Sequence, residues 1–272
     1  MSTTAVTLPP IELRRGLDRV VGAARDSFAV AARNLIAYRR VPQLLVFSTM
    51  QPVIFVLMFR YVFGGAIKLP GNTPYVDYLM PGIFVQTVTF GSLAAAIGLA
   101  ADLKSGLLER FRSLPMARSA VLAGRTVADL VRNVFVAALM AAVGFAVGFR
   151  IHNGVAPFLL AMLLVLAFGY VMAWVFATVG LAVGDPETAQ AASFPVLAPL
   201  VFASSAFVPV SSMPGWLQAF ARHQPVSVTV SAVRDLVLGT PAASDVLQAL
   251  AWMVGIVAVF APLAVRRYRR AV

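Results

Sequence analysis

The sequence predicts an all-α membrane protein with six transmembrane helices, and three observations support this fold class. Hydrophobic residues make up 60% of the 272 positions and charged residues only 12%, whereas a soluble globular domain is about half apolar and about a quarter charged. The apolar residues gather in runs of about 20, which is the length that a helix needs to cross a bilayer. The Lys and Arg residues lie mainly between those runs.

Hydropathy places all six spans in one transmembrane domain that covers residues 1–272. We expect the spans near residues 43–63, 79–101, 127–149, 155–183, 189–210 and 246–265. Residues 1–12 are predicted to be a disordered tail. Residues 13–41 have apolar positions three and four apart, which is typical of an amphipathic helix. This helix would lie in the membrane interface, or it would pack as a solvated helix on a partner.

The distribution of Lys and Arg predicts the orientation in the cell membrane. Seventeen of the 22 fall on the side of the two termini and of the loop between spans 2 and 3, and five fall on the other side. Because positive side chains collect in cytoplasmic segments, both termini and that loop are predicted to be cytoplasmic. The same distribution indicates that the residues behind the net charge of +11 contact membrane lipids and not nucleic acid.

The loop between spans 2 and 3, residues 102–125, is a strongly charged segment between two long apolar runs. Its apolar positions predict that span 2 continues into the cytoplasm as an amphipathic helix until Pro115. A short second helix, Arg118–Ala123, would follow and turn at Gly124 into span 3. Such a loop can receive a soluble partner, or it can simply connect two spans.

The longest external segment, Ser211–Asp245, contains two amphipathic stretches. They lie around Pro214–Arg222 and Val226–Leu238, separated by Pro225. We expect two short helices that dip into the outer membrane interface before span 6, rather than a folded outer domain.

Several short motifs in this order resemble ABC-2 type transporter permeases, in particular the daunorubicin-resistance type that exports drugs or lipids. The motifs are Gly106-x-x-Glu109-Arg110-x-Arg112-x-Leu114-Pro115, Ala123-Gly124-Arg125 with Asp129, Tyr75-Val76-Asp77-Tyr78-Leu79-Met80-Pro81-Gly82-Ile83, Met213-Pro214-x-Trp216-Leu217 and Gln224-Pro225. The likeness covers most of the chain and implies a membrane subunit without catalytic residues of its own.

The resemblance also implies two protein partners. One is a cytoplasmic ABC ATPase subunit that carries ATP and Mg²⁺, and the other is a second permease, either an identical copy or a paralogue. The chain itself is expected to hold no cofactor, because neither Lys68 nor Lys104 ends a phosphate-binding G-x-x-x-x-G-K-[ST] loop. The implied ATPase-coupling residues are Gly106, Glu109, Arg110, Phe111, Arg112, Leu114, Pro115, Gly124 and Arg125.

Polar residues within the spans are candidates for a transport pathway. Spans 1 and 2 contain Gln51, Gln86, Thr87, Thr89 and Ser92, which would line a path or bond neighbouring helices. Near the cytoplasmic end of span 3, Asp129 and Arg132 are three residues apart and predict a local ion pair.

Two GxxxG motifs permit close helix contacts. They are Gly144-x-x-x-Gly148 and Gly180-x-x-x-Gly184.

The scarcity of Cys, His and charged residues within the spans argues against several other functions. The chain has no cysteine, and its two histidines, His152 and His223, are far apart, so we expect no metal site. No span centre holds Asp, Glu, Lys or His, which argues against a proton relay or a membrane enzyme. The predicted function is export of a hydrophobic or amphipathic drug or lipid. The alternatives are a permease for a lipid-linked polysaccharide, a membrane scaffold without transport, and a membrane enzyme.

Overall fold

The computed structural model describes residues 42–65, 67, 73–106 and 118–271, with side chains defined outside 42–48, 118–128 and 271. Every regular element in these ranges is helical, which confirms the all-α class. The helices are α1 (Pro42–Leu57), α2 (Tyr75–Gly91), α3 (Leu93–Lys104), α4 (Arg118–Ala146), α5 (Val155–Val183), α6 (Pro186–Phe202), α7 (Gly215–His223), α8 (Pro225–Leu238) and α9 (Ala243–Ala271). A π-helical turn, Met58–Phe63, extends α1, and a 3₁₀ turn, Val210–Ser212, precedes α7.

Helices occupy all six regions in which spans were predicted. Within the described part of the chain, four stretches are long and apolar enough to cross a membrane: Tyr75–Lys104, Asp129–Ala146, Val155–Val183 and Ala243–Arg270. The helical stretch Thr49–Phe63 is apolar but shorter, and α6 has 17 residues with two internal prolines. The structure thus supports a multi-pass membrane protein, while the count of six and the side of each terminus stay predictions.

Helix α5 is the centre of the bundle, and it packs against α2, α3, α4, α6, α8 and α9. Its ends are set by glycines. Gly154 precedes it with a φ of 82°, and Gly184 follows it with a φ of 74°, a left-handed conformation that lets the Gly184 N–H donate to the Gly180 carbonyl at 3.0 Å. Asp185 then caps α6 by accepting from the Thr188 N–H, and Pro186 occupies the first turn of α6. The sequence of this turn therefore produces a tight reversal between two long helices.

Helices α2 and α3 form one stretch that is broken at Ser92. The Thr89 hydroxyl donates to the Val85 carbonyl, and the Ser92 hydroxyl donates to the Thr89 carbonyl, a side-chain pattern that bends helices. The Ala95 N–H then bonds to the Ser92 carbonyl, in a tighter turn than an α-helix makes. The Gly91 carbonyl is consequently available to a group from outside the helix.

The two helices that precede α9 differ in burial. Helix α7 is amphipathic and mostly exposed, as an interfacial helix would be. Helix α8 packs against α2, α5 and α9 and buries most of its residues, including Val230 and Val233. It is thus part of the helical bundle rather than a helix at its surface.

Each GxxxG motif combines a packing glycine with a glycine at a helix end. At Gly180 a Cβ atom would lie 2.3 Å from the Ala96 carbonyl oxygen, and at Gly144 it would lie 2.6 Å from the Met80 Cε. Gly148 and Gly184 instead have φ angles of 101° and 74° and follow the last residues of α4 and α5. Only the first glycine of each motif therefore brings two helices into contact.

Candidate functional site

The predicted coupling loop, residues 102–125, lies partly outside the described residues. Residues 107–117, which include Glu109, Arg110, Phe111, Arg112, Leu114 and Pro115, are among those that the structure does not describe. At its start, α3 ends at Lys104 and Gly106 adopts a φ of 65°. The prediction that this helix continues to Pro115 is wrong, because a left-handed glycine ends a helix.

At the end of the loop, the prediction of a turn at Gly124 is also wrong. Helix α4 runs without interruption from Arg118 through Gly124 and Arg125 to Ala146. A glycine within a helix costs only about 1 kcal/mol relative to alanine, so neighbouring helix-forming residues are sufficient to continue the helix.

Where the coupling loop begins, α3 is connected to the turn between α5 and α6. The Lys104 Nζ donates to the Asp185 Oδ1 at 2.7 Å. This hydrogen bond, together with those from the Thr188 N–H and hydroxyl, holds the pKa of the Asp185 carboxyl below its ordinary value. Nearby, Tyr268 of α9 packs with Leu99 of α3 and Leu181 of α5. One end of the bundle thus joins α3, α5, α6 and α9.

The opposite end of the bundle contains a second polar cluster. The buried Asp77 carboxylate accepts from the Arg150 N–H at 2.9 Å and contacts the His152 Nε2 at 2.7 Å. The Arg234 guanidinium donates to the carbonyls of Tyr78 and Ser205 at 3.2 and 2.8 Å, and its Cζ lies 3.6 Å from the centre of the Tyr78 ring. These contacts hold the start of α2 against the loop before α5 and against α8.

Between the two ends, a cavity of about 220 Å³ lies among α1, α2, α3 and α4. Three of the five polar residues predicted for a pathway line it, namely Gln51, Gln86 and Thr87. The other two, Thr89 and Ser92, bond to backbone carbonyls of α2 instead. The structure therefore brings part of the predicted set together at one place, about midway along the Tyr75–Lys104 stretch.

The cavity also contains Arg132 and Asn133 of α4. The Arg132 Nη2 donates to the Gly91 carbonyl at the break between α2 and α3, and to the Asn133 Oδ1 at 3.4 Å. The Arg132 guanidinium thus reaches the break between α2 and α3, about midway along the Tyr75–Lys104 stretch. The Lys104 ammonium pairs with the Asp185 carboxylate, and the pair expected between Asp129 and Arg132 stays a prediction.

Sequence reasoning did not identify Asn133 as a functional residue. Its side chain is buried and lies close to Gly91 and Gly169. An amide within an apolar helix is costly to bury without partners. This cost was the one signal in the sequence that could have drawn attention to it.

A bundle of apolar helices with a cavity that has mainly apolar walls and a few polar groups is compatible with a membrane transport protein. No group of three or more His, Cys, Asp or Glu side chains in the described residues is arranged to hold a metal ion. The sequence matches the ABC-2 type transporter family over residues 26–238, and the chain therefore belongs to that family of transport permeases, which are not themselves enzymes.

Curated relatives agree with this assignment. The chain is 38% identical to the daunorubicin resistance ABC transporter permease protein DrrB1 of Streptomyces coeruleorubidus, over 87% of this chain and 83% of the relative. It is 32% identical to a probable doxorubicin resistance ABC transporter permease protein, DrrC, of Mycobacterium tuberculosis, over 81% and 79% of the two chains. A putative transport permease, ycf38, of Cyanophora paradoxa is 25% identical over 78% and 74%. The predicted resemblance is thereby confirmed.

Proposed function

We propose that this chain is the membrane permease subunit of an ABC exporter that moves a hydrophobic or amphipathic drug or lipid out of the cell. The observation that carries the proposal is the cavity midway along the bundle, in a chain whose relatives are named for daunorubicin and doxorubicin resistance. Apolar walls with a few convergent polar groups are typical of sites for small organic molecules.

Energy for export would come from a separate cytoplasmic ATPase subunit that binds ATP and Mg²⁺. The sequence lacks a phosphate-binding loop that could hold ATP in this chain. In the proposal, the ATPase contacts the N-terminal helix, residues 13–41, and the coupling loop. The Lys104–Asp185 ion pair connects the start of that loop to the turn between α5 and α6, so a displacement there would reach two parts of the bundle.

The contacts support the proposed six-span topology with both termini in the cytoplasm. Lys104, Asp185 and Tyr268, which the charge distribution assigns to the cytoplasmic side, lie at one end of the bundle. The cluster around Asp77 and Arg234, which it assigns to the outer side, lies at the other. Each end of the bundle therefore contains residues that are predicted for one side only.

A second permease copy would complete the exporter. Helix α9 presents many large apolar side chains at its surface, among them Leu247, Val254 and Val259, and α1 does the same with Ile54. In a bilayer these faces would contact lipid or the second copy. The cargo would then cross between two permeases when the ATPase subunits close around ATP.

The proposal can be tested by reconstituting the permease with its candidate ATPase in lipid vesicles. We expect ATP to drive doxorubicin across the membrane, as followed by its fluorescence, and we expect the drug to stimulate ATP hydrolysis. The matched control is the same complex with the phosphate-binding lysine of the ATPase changed to alanine, which should stop the movement. Equal flux with and without ATP would contradict the proposal, and so would failure of every candidate ATPase to bind the permease.

A further inference from the structure

The lining of the cavity among α1 to α4 combines apolar and polar side chains. Phe90, Leu93, Ile97 and Val136 supply apolar surface. The polar groups are those of Gln51, Gln86, Thr87, Arg132 and Asn133. Gln51 is exposed, so the cavity reaches the surface of the chain at α1. In the proposed topology that surface lies within the membrane, where an amphipathic molecule in the lipid could enter.

Two buried oxygen atoms at the cavity have no hydrogen-bond partner among the described residues. They are the Gln86 Oε1 and the Thr87 Oγ1, on side chains that are 2% and 8% exposed. A buried polar atom without a partner loses its hydration without compensation. The Thr87 hydroxyl can donate its missing hydrogen bond to a ligand oxygen, whereas the Gln86 Oε1 only accepts and needs a separate donor.

Arg132 brings further hydrogen-bond donors to the cavity. Both of its hydrogen bonds in the described structure come from Nη2, to the Gly91 carbonyl and to the Asn133 amide oxygen. A guanidinium has five N–H groups, so those of Nε and Nη1 are available to an acceptor in the cavity. Arg132 is the one charged residue that lines the cavity in the described part of the chain, which disfavours a cationic group close to its guanidinium.

We propose that this cavity binds the carbonyl or carboxylate end of an amphipathic molecule. Arg132 and the Thr87 hydroxyl donate hydrogen bonds to the ligand oxygen. The apolar part of the ligand lies along Phe90 and Ile97 toward the opening at Gln51. Identifying this ligand as the cargo rests on the proposed function, whereas the binding chemistry does not.

The test uses the full-length permease in lipid nanodiscs and three pyrene-labelled chains of equal length. They end in a carboxylate, a methyl ester or an ammonium group, and empty nanodiscs correct for partition into lipid. We expect the carboxylate to bind most tightly, then the ester, and the ammonium most weakly. Equal binding of all three heads would overturn the proposal and would leave the cavity to water or to the second permease copy.

Variants then assign the selectivity to the cavity. Arg132→Gln should weaken carboxylate binding roughly ten- to a hundredfold, since it removes a charged donor, and should leave ammonium binding unchanged or stronger. Arg222→Gln, an exposed arginine on α7, is the matched control and should change nothing. Unchanged carboxylate binding in Arg132→Gln would overturn the proposal.

Two further variants test the same cavity even if Arg132→Gln fails to fold. Because the Thr87 and Gln86 oxygens have no partners among the described residues, Thr87→Val and Gln86→Leu should leave thermal stability unchanged or raise it. We expect Thr87→Val to weaken ester and carboxylate binding roughly two- to tenfold, whereas Gln86→Leu removes an acceptor that neither head group uses. Full affinity in Thr87→Val would count against a ligand in this cavity.

The binding assay needs neither ATP nor an ATPase, so its result is separate from the transport test. Head-group selectivity without ATP-driven transport would refute the proposed function and keep the binding site. ATP-driven transport without head-group selectivity would keep the function and refute the binding site.

Discussion

Replacement of Gly180 by alanine should push α5 away from α3. A Cβ atom at this position would lie 2.3 Å from the Ala96 carbonyl oxygen and 2.8 Å from its carbonyl carbon. The first distance is about 1 Å inside ordinary van der Waals contact, and the obstacle is backbone that cannot rotate away. Overpacking of this kind typically costs about 1–3 kcal/mol, which exceeds the gain of about 1 kcal/mol in helix propensity.

A glycine in α9 gives a matched control for this prediction. At Gly255 an added Cβ would meet nothing within 4 Å, so Gly255→Ala should keep or raise stability through helix propensity alone. Both variants would be purified in detergent and heated, and the monodisperse fraction would be measured by size-exclusion chromatography. We expect Gly180→Ala to aggregate at a lower temperature than the wild type, and Gly255→Ala not to. If both variants are as stable as the wild type, α5 and α3 are not packed as closely as described.

Three further predictions concern other parts of the chain. Arg234→Lys should reduce the yield of folded protein on purification, because an ammonium group lacks the planar fork that bonds two carbonyls; a normal yield would contradict this role. Glu109→Lys combined with Phe111→Ala should abolish co-purification with the ATPase while membrane insertion, measured by fractionation, is unchanged; full co-purification would refute coupling through this loop. The pKa of Asp185 is lower in the folded protein than its ordinary value of 3.8. The ionised carboxylate should therefore stabilise the fold above pH 3.8, and this stabilisation should be lost as the pH falls through the folded pKa. The melting temperatures of wild type and Asp185→Asn should accordingly differ by a constant amount near neutral pH and converge in acid.

The helices that the sequence predicts best are those with unambiguous ends. The predicted span at residues 155–183 has the same bounds as α5, because glycines at both ends and Asp185-Pro186 are strong local signals for starting and stopping helices. The ends of the coupling loop were predicted less well. Gly106 ends a helix and Gly124 does not, and the difference depends on the backbone conformation of each glycine rather than on composition.

The cavity could be predicted only in part. Gln51, Gln86 and Thr87 were candidates because polar residues stand out within apolar spans, but sequence alone could not distinguish them from Thr89, which bonds its own helix. The depth of Arg132 depends on how α4 packs beside the break at Ser92. Such a contact between residues 41 positions apart leaves no local periodic signal.

The break between α2 and α3 has a thermodynamic consequence. The N-terminal half of this stretch is fixed by the contacts of Asp77 and Tyr78, and the C-terminal half by the Lys104–Asp185 pair. The two halves meet at Gly91, whose carbonyl binds Arg132 in the cavity wall. If the angle between them changes, the cavity changes with it, so ligand occupancy and helix angle become linked equilibria. A ligand that fits one angle better would then favour that angle even in the absence of ATP.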